Sequence, residues 1–244
     1  MIASVWAWLT APSNWSGSDG IWQRVLEHLA YTGLTLLIAA LVAIPVGLWI
    51  GHTGKGRLLV VNLANGMRSM PTLGLLFVAV LVLGPRLAGD VAFLVPTIIV
   101  LVILAIPPIL AGAYAGVEAV PATARDAAKG MGMGPWQVLS RVEVPNALPL
   151  LFGGLRSSAL QVVATATLGA AVSLGGLGRY LIDGQATRNY PMMAGGAILV
   201  GVLALLVDLV LALVQRAVVS PGLSRQPRPR ARRRPARASA AASP

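Results

Sequence analysis

The run Ala122-Thr123-Ala124-Arg125-Asp126-Ala127-Ala128-Lys129-Gly130-Met131-Gly132-Met133-Gly134-Pro135-Trp136-Gln137-Val138 lies between two long apolar segments, and its reading decides how the chain is built. Ala122, Ala124, Ala127 and Ala128 favour helix. Gly130, Gly132 and Gly134 interrupt that helix. Pro135 suits the first turn of a second short helix, and Pro145 is expected to end it. The whole stretch from Glu118 to Pro149 is too long for a simple connection. It predicts a helix, a glycine turn and a second helix standing clear of the apolar segments.

Outward from this loop the chain is apolar. Hydrophobic residues make up 56% of the sequence and charged residues 11%, where a soluble domain has about one quarter charged. A membrane-spanning helix needs about 20 mostly apolar residues. Five candidates meet that length: Leu29–Ile50, Leu58–Leu83 with a polar middle, Val91–Val117, Leu150–Leu174 and Met193–Val219. Backbone polar groups in lipid must be satisfied within the segment, so these runs predict an all-α integral membrane protein.

Basic residues set the orientation, because they collect in cytoplasmic loops. One set of segments holds Lys55, Arg57, Arg125, Lys129, Arg141, Arg156, Arg216 and a tail with Arg225, Arg228, Arg230, Arg232, Arg233, Arg234 and Arg237. The opposite set holds Arg24, Arg86, Arg179 and Arg188. The bias predicts the N-terminus outside and the C-terminus inside.

Residues 1–22 carry Trp6, Trp8, Trp15 and Trp22, suited to a membrane–water boundary, and are expected to lie on the outer surface. No basic region precedes their apolar stretch, which argues against a cleaved signal peptide. Residues 23–219 form the transmembrane domain. Residues 220–244, rich in Pro, Arg, Ala and Ser, are expected to be a disordered basic tail. Because the tail follows an apolar helix directly, its partner is expected to be anionic lipid and not nucleic acid.

Composition also excludes chemistry. There is no Cys, and there are 2 His and 8 acidic residues. We therefore expect no catalytic residue, bound cofactor or metal site. No phosphate-binding G-x-x-x-x-G-K-[ST] occurs, so the chain cannot hydrolyse ATP alone. Leu174-Gly175-Gly176-Leu177-Gly178 lacks the strand–turn–helix context of a nucleotide site and reads as a turn at the outer mouth.

The loop then shows a specific likeness. Asp126-Ala127-Ala128, three residues, Gly132, nine residues and Val142-Glu143-Val144-Pro145 resemble the EAA loop of binding-protein-dependent ABC importer permeases. That family's pattern is E-A-A, three residues, G, nine residues, I-x-L-P. Asp126 departs from the usual Glu, keeping the carboxylate on a shorter arm. The resemblance spans roughly Gln23 to Val219. It implies the five-helix core of a type I importer permease in the bacterial cytoplasmic membrane, with a cytoplasmic coupling helix. Asp126, Ala127, Ala128 and Gly132 would form the docking knob, with Pro145 closing the motif. The implied partners are an ATP-binding subunit using ATP and Mg, an extracytoplasmic substrate-binding protein, and a second permease chain, identical or related.

Ala128-Lys129-Gly130-Met131-Gly132-Met133, Val142-Glu143-Val144-Pro145-Asn146-Ala147-Leu148-Pro149 and Leu174-Gly175-Gly176-Leu177-Gly178 are similar to phrases of the osmoprotectant branch. Those permeases serve glycine betaine, choline, carnitine or proline betaine. The rival functions are an ion-coupled secondary carrier and a non-transporting membrane assembly protein.

Polar residues inside the spans mark candidate contacts. Asn62, Asn65, Arg68, Ser69 and Thr72 recur at helical steps in the second span, and Ser157, Gln161 and Thr165 at steps of four in the fourth. They could wall a translocation path or make hydrogen bonds between helices. Gly153, Gly154 and Ala159 read as packing positions. Asp208 could couple a proton or pair with Arg216, two turns on. Glu27 and His28 read as interfacial.

Overall fold

The computed structural model describes residues 1–58, 62, 66 and 70–220. The described residues form helices and turns without strands. The main helices are α1 (Ile2–Thr10), α2 (Ile21–Thr53), α3 (Thr72–Leu83), α4 (Val91–Glu118) and α5 (Ala122–Gly130). They are followed by α6 (Pro135–Val138), α7 (Val144–Ala166), α8 (Gly178–Ala186) and α9 (Tyr190–Val218).

Among the described residues, four stretches are long and apolar enough to cross a membrane: Ile21–Thr53, Val91–Glu118, Pro135–Val172 and Tyr190–Val218. Thr72–Arg86 is a shorter apolar helix covering the later half of the second expected span. Of that span's polar residues, Asn65, Arg68 and Ser69 lie outside the described residues. The fourth span starts earlier than expected, because the helix entering it runs on from Pro135.

The centre is a three-helix stack of α2, α4 and α7. Ala39, Ala43, Ala105, Ile109 and Val162 are buried where the three meet. In lipid, helices associate by close packing instead of by escape from water. Small residues supply the closeness. A methyl at Gly116 would stand 2.7 Å from the Ala147 carbonyl oxygen, and one at Gly47 2.8 Å from that of Leu110. Gly112 of α4 and Gly154 of α7 meet backbone to backbone. Gly154 and the fully buried Ala159 are packing positions as expected. Gly153 is not: nothing lies within 4 Å of where its Cβ would be, because it faces away from α4.

Helix α9 leans on α7, α8 and α1, and turns Leu205, Leu206, Leu209, Val210 and Leu213 outward. Such a face suits acyl chains. The tryptophan-rich start of the chain is more than a surface segment. α1 packs on α9, with Trp8 against Gly195 and edge-on to Tyr180 at 5.2 Å. Trp15 Nε1 donates to the Leu9 carbonyl at 2.6 Å. Trp6 and Trp22 remain exposed.

Candidate functional site

The chain alternates between two ends of the bundle. One end carries the loop Glu118–Pro149; the other carries α1, α8 and the turn before α8. At the loop end, α5 stops as its glycines predict. The Gly132 N–H donates to the Lys129 carbonyl at 2.9 Å and the Met133 N–H to that of Ala128 at 3.2 Å. This is the Schellman pattern, with Gly132 in the left-handed conformation at φ 81°. Asp126, Ala127 and Gly132 are exposed, whereas Ala128 is 1% exposed and packs inside the chain. Its side chain is therefore not part of the loop's outer surface. Met131 and Trp136, 71% and 75% exposed, flank the turn.

Pro145 does not end the second helix. α6 passes through a π-helical segment, Leu139–Glu143, straight into α7. Pro145 is the second residue of α7. A proline terminates a helix by lacking an N–H and by crowding the carbonyl four residues back. The widened π turn immediately before Pro145 accommodates it.

The widened turn also changes which side chain faces inward. Val138, Glu143, Ala147 and Leu151 are buried in line. Steps of four run from Glu143 onward, but the step from Val138 to Glu143 is five. A regular α-helix would turn Val142 inward instead. Glu143, 2% exposed, meets His52 of α2 through Nδ1 at 2.5 Å. Its other oxygen lies 2.8 Å from Arg125 Nε of α5. Arg125 also donates to the Val117 carbonyl at the end of α4. The three side chains, with Lys129 and Met133, border a cavity of about 370 Å³. Sequence reading missed this cluster; its one signal was a lone Glu between Val142 and Val144.

On α7, Ser157 and Gln161 are exposed and Thr165 half-buried. Gln161 Nε2 donates to the Leu104 carbonyl at 3.3 Å. That carbonyl stands four residues before Pro108, which has no N–H to offer it, so Gln161 satisfies an orphan acceptor. Thr165 returns its hydroxyl to the Gln161 carbonyl at 2.8 Å. Asn62 is exposed, and Thr72 opens α3. Asp208 does not pair with Arg216. Both its oxygens accept from Arg156 of α7, at 2.7 Å each.

At the far end, Ser173 and Gly176 take positive φ, 68° and 86°, making the turn that the glycines predict. The Gly176 N–H donates to Glu27 Oε2 at 2.7 Å, and Arg24 Nη1 donates to the same oxygen at 2.9 Å. His28, expected to be interfacial, is 1% exposed and sits 3.0 Å from the Val163 carbonyl. The helix it belongs to begins at Ile21, well before the apolar run, so His28 is already inside the bundle. Tyr180 donates to the Asp19 carbonyl at 2.7 Å, and burial pushes its phenol up to about 12.

The family described as "binding-protein-dependent transport system inner membrane component" matches residues 43–220. The glycine betaine/carnitine/choline transport system permease protein OpuCB of Bacillus subtilis is 32% identical over 81% of this chain and 88% of its own. The glycine betaine/proline betaine transport system permease protein ProW of Escherichia coli is 25% identical over 79% of this chain and 52% of its own. An inward-facing structure of the MetNI methionine ABC transporter superposes with a TM-score of 0.69 at 25% identity, covering 81% of this chain and 95% of the matched chain.

Proposed function

Since the chain belongs to the family of binding-protein-dependent transport system inner membrane components, we propose that it is the permease subunit of an ATP-driven importer. Its substrate class is a quaternary-amine osmoprotectant such as glycine betaine, choline or carnitine. The substrate class rests on the functions named for the relatives. The geometric observation that carries the importer reading is the exposed knob at the loop end. Met131 and Trp136 stand in solvent beside Asp126 and Ala127, on a turn closed by Gly132. An apolar patch rimmed by charge suits a protein partner, and here that partner is the ATP-binding subunit.

In this reading the loop end is cytoplasmic and the N-terminus outside. Two permease chains face each other across the path. Asn62, Asn65, Arg68, Ser69 and Thr72, with Ser157, Gln161 and Thr165, contribute to its wall. The exposure of Ser157 and Gln161 in a single chain supports this. An external binding protein delivers substrate to the end that carries the Leu174–Gly178 turn. ATP closes its subunits, α5 is pushed, and the path opens outward. Hydrolysis resets it.

A secondary carrier would need a free coupling carboxylate within a span. Asp208 has both oxygens committed to Arg156, which counts against that role. The test is uptake of labelled glycine betaine, choline and carnitine by cells lacking other osmoprotectant uptake. The cells express this chain with its ATP-binding subunit and binding protein. Uptake should require the chain and a hydrolysis-competent ATP-binding subunit, and should survive collapse of the proton gradient. Uptake that follows the gradient and ignores ATP hydrolysis would overturn the reading.

A further inference from the structure

We propose that Glu143 is the positioning residue that joins the coupling helix to the transmembrane helices, with His52 and Arg125 as its two arms. The inference rests on the importer reading above and names the residues through which that motion passes. Three observations carry it.

First, the carboxylate is buried where it meets two different elements. Its oxygens face His52 of α2 at 2.5 Å and Arg125 of α5 at 2.8 Å. A buried charge is tolerable only while its partners stay in place. The position of α5 relative to α2 is therefore fixed by the need to keep Glu143 compensated. Second, the helix is distorted to place it there. The π turn Leu139–Glu143 puts Glu143 on the inward line that Val142 would occupy in a regular helix. Such turns recur at functional positions. Third, the link continues. Arg125 also donates to the Val117 carbonyl, so one guanidinium ties α5 to the end of α4 as well. Force applied at Asp126 or Met131 reaches α2, α4 and α7 through side chains that cannot separate cheaply.

Glu143 is 2% exposed and faces His52 and Arg125, a place for passing on motion and not for holding nucleotide or substrate. Its loss should uncouple the two activities instead of abolishing either. The experiment uses the full assembly in liposomes, with chain, ATP-binding subunit and binding protein, and counts glycine betaine moved per ATP hydrolysed. Glu143→Gln keeps the shape and removes the charge. His52→Leu removes one arm, and His52→Asn restores an N–H donor near the place of Nδ1. Arg141→Gln, exposed on the same π turn, is the control.

Glu143→Gln and His52→Leu should each lower the ratio about tenfold, the scale expected within a coupling network. His52→Asn should recover most of it, and Arg141→Gln should keep it. If Glu143→Gln does not assemble, the two His52 variants decide. An unchanged ratio in the variants that assemble, or equal losses in His52→Leu and His52→Asn, would overturn the inference. A wild-type assembly without ATP-driven uptake would instead refute the importer reading.

Discussion

Arg156 and Asp208 meet fork to fork between α7 and α9, with Nε and Nη2 each 2.7 Å from one carboxylate oxygen. This pair does more than neutralise two charges. Helix α9 shows most of its surface outward, and this pair is one of the polar ties that hold it to α7. Gln215, which donates to the Pro149 carbonyl at 3.4 Å, is another. Asp208→Asn should leave Arg156 uncompensated within the bundle and lower the thermal midpoint of the purified chain. The exchange Arg156→Asp with Asp208→Arg should recover most of the loss, while Arg216→Gln should change little. A midpoint that ignores Asp208→Asn would remove the pair from the account of stability.

Adjacent glycines on α7 should respond oppositely to a methyl group. Gly154 faces Pro108 and Gly112 of α4, and a Cβ there collides with backbone that cannot yield cheaply. Gly153 faces open space. Gly154→Ala should cost about 1–3 kcal/mol through forced separation of the helices. Gly153→Ala should be neutral or slightly stabilising, since alanine is the better helix former. Paired thermal unfolding in one detergent checks both.

What the sequence made legible was whatever depends on neighbours along the chain. Apolar length located the helices, and the glycines after Ala128 located the turn, because a left-handed C-terminal position is a local demand. Partners across the bundle were hidden. Arg216 was visible as a partner for Asp208 because it lies on the same helix; Arg156, 52 residues away, was not. The π turn was hidden for a different reason. One extra residue shifts the phase of every later side chain, and nothing in Leu139-Ser140-Arg141-Val142-Glu143 distinguishes the two registers except that one buries a charge. Burying a charge is what a sequence reader rejects, so Pro145 read as a stop and Glu143 drew no reading of its own.

Tyr180 ties the far end to the start of the chain through its bond to the Asp19 carbonyl. Burial raises its folded value to about 12, above the unfolded value of about 10. The neutral phenol is thus favoured in the folded state. Its contribution to stability is full below pH about 10 and is lost as pH rises through about 12. Tyr180→Phe should unfold earlier at neutral pH by the loss of one hydrogen bond, about 1 kcal/mol. Its difference from the wild type should shrink between pH about 10 and about 12. A difference constant across that window would show that the phenol does not titrate with unfolding.

Gly132 tests the knob itself. The residue sits at φ 81° with nothing within 4 Å of a Cβ, so any penalty for replacing it comes from the backbone and not from a clash. Left-handed backbone costs about 1–2 kcal/mol for most residues, while Asn tolerates it far better. Gly132→Asn should therefore keep the turn, and Gly132→Val should strain it or abandon it. Abandoning it loses the bonds to the Lys129 and Ala128 carbonyls and re-aims Met131 and Trp136. Either route draws on the free energy of docking, so Gly132→Val should weaken association with the ATP-binding subunit by up to about tenfold. Gly132→Asn should stay close to wild type. Gly130→Ala, also with open space around its Cβ but inside the helix, should leave association unchanged. Equal weakening by Asn and Val would mean that the partner touches the Gly132 backbone directly and leaves no room for any side chain.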